Sequence, residues 1–330
     1  MVLNGNANGK GLPRYRFATR LNSFRSPSTA SIVDLVEAVA GVPGLTAIEV
    51  NYPQHLQSVG EEQFLDAINR NGLALTAISL RYDDAEFRQG VFTSPNAGTR
   101  ERAILLTFGA VDLAARIGVP HVNLWMSHDG FDYPFEVDYA RLWEDEIDGF
   151  RRVCEHNPEL RISVEYKPLE PRRVSLIAGM SDALLAIQAV GMPNFGVQID
   201  FCHSLMAREQ PAAAAARALH AGRLFGVHLN DGYGPADDGL TVGSVHPWQT
   251  LELLWYLRRF DYRGTIYFDT FPERVDPAGE CVANLRAVRR FERILDRLEA
   301  VELADLQAKH DALALTRLIQ DAALGDDDGG

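Results

Sequence analysis

Eight short runs of apolar, β-prone residues recur along this chain, each followed by an amphipathic stretch of helical length, and that alternation leaves few folds open. The runs are RFATRLNSF at 16–24, TAIEVNY at 46–52, LALTAISLRY at 73–82, HVNLWMS at 121–127, RISVEYK at 161–167, FGVQID at 195–200, RLFGVHLN at 223–230 and GTIYFD at 264–269. Between them lie segments such as SIVDLVEAVA, TRERAILLTFGAVDLAARIG, SDALLAIQAVG and PWQTLELLWYLRRF, several closed by the glycine that commonly ends a helix. Strands alternating with helices imply a parallel sheet covered by helices. A doubly wound sheet alternates in the same way, but no glycine-rich phosphate loop follows the first strand here. Polar candidates stand at strand ends across the whole chain, as the C-terminal face of a barrel permits. The expected fold is therefore an α/β (β/α)8 TIM barrel over residues 14–280. A C-terminal helical extension of the same domain is expected at 281–324, a flexible N-terminus at 1–13 and a disordered tail at 325–330. No repeat or Pro/Ser linker divides the chain, so one domain is expected.

Four strands end in residues that ligate metals: VEYKP in Glu165, VQIDFCH in Asp200 and His203, GVHLND in His228, and YFDTFP in Asp269. One solvated carboxylate at a strand end is ordinary. Four in series are not, because a buried carboxylate without compensation costs several kcal/mol or takes up a proton. Glu165, Asp200, His228 and Asp269 can surround one ion with oxygen ligands and one imidazole. That mix suits Mn²⁺ best, with Co²⁺ or Mg²⁺ as alternatives, rather than a thiolate zinc site. His203, one helical step beyond Asp200, can reach a second ion that Asp200 bridges, and Asp237 with Asp238 can complete it. Lys167 shares a face with Glu165 by strand periodicity, where it can pair with the acids and polarise a substrate carbonyl.

Charge narrows the partners. The net charge of −13 repels nucleic acid and anionic membrane, so a small neutral substrate is expected, with no nucleic-acid and no membrane partner. The opening MVLNGNANGKGLP has no apolar h-region and no run of about 18 apolar residues appears, so a cytoplasmic location is expected. Three widely spaced cysteines, Cys154, Cys202 and Cys281, imply neither a disulfide framework nor a CxxC site. Cys202, beside the candidate site, reads as a reduced buried thiol.

The motifs Glu165-Tyr-Lys167-Pro, Asp200-Phe-Cys-His203, His228-Leu-Asn-Asp231, Asp237-Asp238-Gly-Leu-Thr-Val-Gly-Ser244 and Asp269 together resemble the xylose-isomerase-like barrel superfamily, most closely its L-rhamnose isomerase branch. Thr99-Arg-Glu-Arg-Ala103, Leu124-Trp125, Asp129-Gly130 and Tyr133-Pro134 extend the resemblance over residues 45–272. It implies an aldose–ketose isomerase with two divalent ions. Glu165, Asp200, His228 and Asp269 would hold the first ion, and Asp200, His203 and Asp237 the second. Lys167 would hydrogen-bond the carbonyl side of the reacting carbons, and Trp125 would wall the sugar. Two cations would polarise the C1 carbonyl and acidify the C2 hydroxyl, letting a hydride shift between adjacent carbons. Relatives often form tetramers, so a homo-oligomer, dimer or tetramer, is expected.

Two positions depart from the pattern. Gly239 stands where the family has a third acid, so the second ion either loses a ligand or borrows Asp238. Asn51 replaces a histidine linked to ring opening, and asparagine cannot shuttle protons near neutral pH. Either His55 substitutes, or the substrate is a sugar that is largely acyclic.

Three other functions compete. A ketose 3-epimerase on the same barrel uses two glutamates on one metal, whereas here the last strand ends in Asp269, and His203 with Lys167 fits isomerisation better. A metal-dependent phosphodiesterase or endonuclease calls for a basic face, which the acidic charge opposes. A non-enzymatic sugar-binding protein would have to keep the convergent polar groups without the metal that stabilises them.

Overall fold

Every one of the eight apolar runs forms a strand, because each alternates side chains between a helix-covered face and the barrel interior. The structure, a computed structural model, describes residues 14–26, 31–57, 59–298 and 300–325. The strands are β1 (Arg16–Thr19), β2 (Ala47–Tyr52), β3 (Ala74–Leu80), β4 (His121–Leu124), β5 (Gly130–Phe131), β6 (Arg161–Glu165), β7 (Val174–Ser175), β8 (Phe195–Asp200), β9 (Leu224–Leu229) and β10 (Thr265–Phe268). All but β5 and β7 run parallel in the order β1-β10-β9-β8-β6-β4-β3-β2. The sheet nearly closes between β1 and β2, where Thr46 N donates to Phe17 O at 2.9 Å and Arg20 bridges Glu49. The short pair β5–β7 is antiparallel and ties the loop after β4 to the loop after β6.

The surrounding helices are α1 (Ile32–Ala40), α2 (Glu61–Arg70), α3 (Ala97–Ile117), α4 (Tyr139–His156), α5 (Met180–Val190), α6 (Phe201–Met206), α7 (Pro211–His220), α8 (Pro247–Arg259), α9 (Pro277–Leu295), α10 (Ala300–Ala308) and α11 (Ala312–Leu324). Local chemistry sets their ends. Ser31 and Asp34 form a capping box on α1, Asn96, Asp138 and Asp276 cap α3, α4 and α9, and left-handed Gly118 and Gly191 close α3 and α5.

The C-terminal boundary differs from the sequence expectation. The helix expected to open an extension at 281 begins at Pro277 and buries Cys281, Leu285 and Val288 against the barrel core. It packs on α8 and on the 3-10 turn Leu21–Phe24 that follows β1, so it completes the outer ring. Among the described residues only α10 and α11 lie beyond it, and α11 has no fully buried residue there. The flexible segment expected at 1–13, and residues 326–330 of the expected tail, lie outside the described residues. No helix among the described residues is long and apolar enough to cross a membrane.

The barrel interior is polar where it meets the site. His121 Nε2 lies 2.7 Å from Ser163 Oγ, Ser163 Oγ donates to Asn123 Oδ1 at 2.9 Å, and Asn123 Nδ2 donates to Glu165 Oε2 at 2.7 Å. Because the Ser163 proton is committed to Asn123, His121 must be the donor to Ser163. Burial first, and then the charges of His228 and Arg161, push His121 down to about 3, so it is neutral. This chain of bonds fixes Glu165 from below.

One buried acid lies away from that face. Glu146 on α4 is fully buried, and neither carboxylate oxygen has a hydrogen-bond partner among the described residues. Burial first, then the nearby Asp129 carboxylate, hold its carboxyl well above the usual range. A raised folded-state value means the folded protein binds the extra proton, so stability is full below the ordinary glutamate range and falls as pH rises toward the folded value. Glu146→Gln removes that titration. It should raise stability at pH 8 by on the order of 1–2 kcal/mol and flatten the alkaline side of the Tm–pH curve; an unchanged slope between pH 5 and 8 would show that Glu146 does not titrate there.

Candidate metal centre and substrate cavity

The C-terminal ends of β6, β8, β9 and β10 deliver Glu165, Asp200, His228 and Asp269 to one point. One donor atom from each lies within 4.8 Å of the others, all four residues are buried, and Asp200, His203 and Asp237 form a second group of the same tightness. His203 stands on the first turn of α6, whose N-terminus Asp200 caps by accepting His203 N at 3.0 Å. Asp200 therefore belongs to both groups and sets the spacing between them.

Asp237 comes from the loop after β9, which is pinned at both ends. The buried Asp231 carboxylate accepts Gly232 N, Val245 N, His246 N and the His246 ring nitrogen at 2.8–2.9 Å, while Asp231 and Leu240 exchange backbone hydrogen bonds. Asp237 Oδ2 then accepts Lys167 Nζ at 2.9 Å and lies 3.2 Å from His203 Nε2. Asp238, expected as a possible ligand, is turned away because its carboxylate accepts Tyr233 N at 2.6 Å and caps the loop. Gly239 cannot be an acid in this arrangement. Its φ is +57° and a Cβ there would lie 2.4 Å from the Phe271 ring. The second group is thus three residues, Asp200, His203 and Asp237.

Three buried atoms mark these groups as a cation site: His228 Nδ1, His203 Nδ1 and Asp237 Oδ1 have no hydrogen-bond partner among the described residues. His228 Nδ1 lies 3.3 Å from Glu165 Oε1 and 3.7 Å from Asp269 Oδ2, and on the outer side Nε2 lies 2.8 Å from Gln198 Nε2 and 3.4 Å from Glu49 Oε2. Protonation follows the same charge imbalance. Burial would keep His203 neutral, but Asp200, Asp237 and Glu165 raise it to about 9, and His228 is held well above its usual range against burial, mainly by Glu165 and Glu49. Asp200 is pushed up to about 7 by burial, helped by Asp237, Asp269 and Glu165 and opposed by His203. Burial likewise pushes Glu165 up, but the imidazolium charges of His228 and His203 hold it below the usual range. Imidazolium protons neutralise the acids here. A divalent ion would do so while freeing both rings to ligate, so the donor set fits one.

A cavity of ≈ 480 Å³ opens over the cluster, lined by Glu165, Lys167, His203, Asp237 and Asp269 together with Asn51, His55 and Trp125. The Arg81 guanidinium lies 4.8 Å and Lys167 Nζ 5.5 Å from the centroid of the Trp125 ring. Asn51 donates its backbone N–H to His55 Nδ1 at 3.0 Å, and His55 Nε2 therefore donates to Asn22 Oδ1 at 2.9 Å. Burial first, then the charges of Arg25, Arg81 and Arg20, push His55 down to about 3. His55 is a locked neutral ring, and the idea that it substitutes for the missing ring-opening histidine is not supported by this geometry. Cys202 is fully buried, its thiol facing the carbonyls of Asp231 and Ala236, and burial pushes its titration up, in keeping with an inert thiol.

Sequence reasoning did not single out the residues that support the ligands. Gln198 Nε2 donates to Glu165 Oε2 at 3.0 Å, and Asn230 Nδ2 donates to both Asp200 oxygens, at 3.0 and 3.3 Å. Glu49, Gln198 and Asn230 each stand two residues from Asn51, Asp200 and His228, so period-two spacing along the strands was the signal that places them on the same face.

Residues 36–306 match the family described as Xylose isomerase-like TIM barrel. The chain belongs to this family. It is 27% identical over 246 residues to the xylose isomerase of Thermus thermophilus, an alignment covering 72% of this chain and 64% of that one. The match thus spans under two thirds of the curated relative's length. Among solved structures, a D-tagatose 3-epimerase-like protein superposes with a TM-score of 0.67 at 16% identity, covering 85% of this chain and 98% of the other. L-ribulose 3-epimerase gives a TM-score of 0.64 at 16% identity over 90% and 98%. D-psicose and D-allulose 3-epimerases are similar as well. At these identities the likeness shows the fold. None of these proteins points to the L-rhamnose isomerase branch.

Titrating Mn²⁺ into chelator-treated protein should raise the melting temperature, by the equivalent of about 2.7 kcal/mol at a hundredfold excess over Kd. Glu165→Gln or Asp269→Asn should remove most of that gain, and melting curves indifferent to metal and chelator would overturn the assignment.

Proposed function

We propose that this protein is a divalent-metal-dependent sugar isomerase that interconverts an open-chain aldose and its ketose at C1 and C2. The observation that carries the reading is Lys167 held against the second ligand group, 2.9 Å from Asp237, in a cavity that Glu165 and Asp269 of the first group also line. Glu165, Asp200, His228 and Asp269 would hold one ion and Asp200, His203 and Asp237 a second, with Mn²⁺ proposed and Co²⁺ or Mg²⁺ as alternatives. Ions held there supply electrophilic polarisation of the sugar's oxygens.

The chain's own residues do the rest. Burial opposes the Lys167 charge, but Asp237 and Glu170, the latter 3.1 Å away, outweigh it and raise its titration above the usual value. Lys167 is therefore a fixed cation and hydrogen-bond donor, suited to a carbonyl oxygen that gains negative charge, and not a base. The Trp125 ring offers an apolar wall for the C–H face of the sugar and keeps water from the reacting carbons. Asn51 and the neutral His55 provide no group that cycles a proton, which favours a substrate already open in solution. A homo-oligomeric assembly in the cytoplasm belongs to the same reading.

A 3-epimerase is the second reading, supported by the predominance of ketose 3-epimerases among the similar solved structures. The second ligand group and Lys167 support isomerisation instead. A screen of four- to six-carbon aldoses and ketoses with Mn²⁺, Co²⁺ and Mg²⁺, read by NMR, separates the two. Interconversion at C1/C2 is expected, and inversion at C3 alone would replace isomerisation by epimerisation. Lys167→Met should lower kcat by roughly 10²-fold or more with metal content and Tm intact; activity within twofold would remove the carbonyl-polarising role.

A further inference from the structure

The cavity has a second face that the chemistry above does not use. Arg20 follows β1, Arg25 follows the adjoining 3-10 turn, Arg81 follows β3, and all three line the cavity that holds Lys167, His203 and Asp237. Arg20 is partly committed, with Nε 3.7 Å from Asp269 Oδ1 and its guanidinium 4.8 Å over Phe271. Arg81 stacks on Trp125 and Arg25 Nε donates to Asn22 Oδ1 at 2.8 Å, and among the described residues neither has a carboxylate within ion-pair distance. The other lining acids are engaged elsewhere, Asp83 by the Gln54 amide at 2.8 Å and Glu170 by Lys167. Once two divalent ions balance the four ligand acids, the cations Arg20, Arg25, Arg81 and Lys167 face only Asp83 and Glu170.

We infer that the substrate carries an anionic end group, a phosphate ester or a carboxylate, which Arg25 and Arg81, aided by Arg20, bind at the β1–β3 side of the cavity. This rests on the cavity being the sugar site. Converging guanidiniums repel one another and are a poor match for a neutral polyol, which needs donors and acceptors in similar number. Their planar forks fit a phosphate or carboxylate in bidentate fashion. The depressed titration of His55, to which burial contributes most and Arg25, Arg81 and Arg20 add, reflects the same convergent field. The inference also accounts for Asn51. A four-carbon aldose whose terminal hydroxyl is esterified lacks the oxygen that would close a five-membered ring, so it remains open-chain and needs no ring-opening histidine.

The test uses Mg²⁺-loaded protein and three four-carbon aldoses: the free tetrose, its 4-phosphate and the matching uronate. Calorimetry with the unreactive tetritol 4-phosphate runs alongside. The kcat/KM for one of the anionic sugars should exceed that of the free tetrose by at least 100-fold, and whichever anion wins identifies the end group. Arg81→Met, and Arg25→Gln at an exposed position where folding is safe, should each lower that ratio and the tetritol 4-phosphate affinity at least tenfold. Turnover of the free tetrose equal to or better than both anions, with no binding of tetritol 4-phosphate, would overturn the anionic end group and leave sugar isomerisation standing. Arginine-dependent binding of tetritol 4-phosphate without interconversion of any sugar would instead keep the anion site and remove the isomerase reading.

Discussion

The interaction on which this molecule turns is the repulsion among carboxylates that a parallel barrel drives together. Strand ends of β6, β8 and β10 bring Glu165, Asp200 and Asp269 within 4.8 Å of one another in a buried volume, and the loop after β9 adds Asp237 beside Asp200. Several like charges this close in a medium of reduced dielectric cost far more than any single hydrogen bond returns. The barrel offsets the cost with His203 and His228, whose raised titrations are the direct effect of the acids around them, and with Lys167. Those same imidazoles turn unpartnered ring nitrogens toward the carboxylates, so cation binding and fold stability are one problem at this face. A divalent ion held by these residues would take over that neutralisation, and its affinity would then also be folding energy.

Much of this was legible in the chain because strand periodicity and residue chemistry coincide. A period of two fixed Glu165 and Lys167 on one face, and apolar runs ending in acids fixed which end of each strand matters. Less legible was anything set by contacts distant in sequence. Nothing in the run Asp237-Asp238-Gly239 reveals that Asp238 caps its own loop or that Phe271, from the following strand's end, fills the space where a side chain on Gly239 would go. Helix α9 shows the same limit. Its helical spacing was plain, but only the burial of Leu285 and Val288 against the barrel makes it part of the ring and not an appendage. The arginines were invisible as a group because Arg20 and Arg81 stand 61 positions apart in the chain, and only barrel closure places β1 and β3 around one opening.

The supporting residues explain how the ligands keep their geometry. Glu165 is held by Asn123 and Gln198, Asp200 by Asn230 and by the start of α6, and Asp237 by a loop whose two ends share the Asp231 carboxylate. Each neutral amide donates to an acid, so it stabilises the charged form without adding a cation that would compete with a metal. Amides are the chemistry that a cation site tolerates in its surroundings, and their placement on β4, β8 and the end of β9 spreads the load around the barrel.

The proposed form of the substrate rests on the opposite wall. Ring opening requires a group that takes and returns a proton near neutral pH, and the wall formed by β1, β2 and β3 withholds one. Asn51 has no titrating atom, and His55 spends one ring nitrogen on the Asn51 N–H and the other on Asn22. A histidine saturated on both sides and surrounded by guanidiniums cannot hold an extra proton, so its role is to brace the turn after β2. The wall that lacks proton chemistry is also the wall rich in fixed positive charge. The two properties agree with the proposal above: burial first, and then the guanidiniums that would hold an anionic end group, keep His55 neutral, and an acidic, open-chain sugar would need no ring-opening histidine.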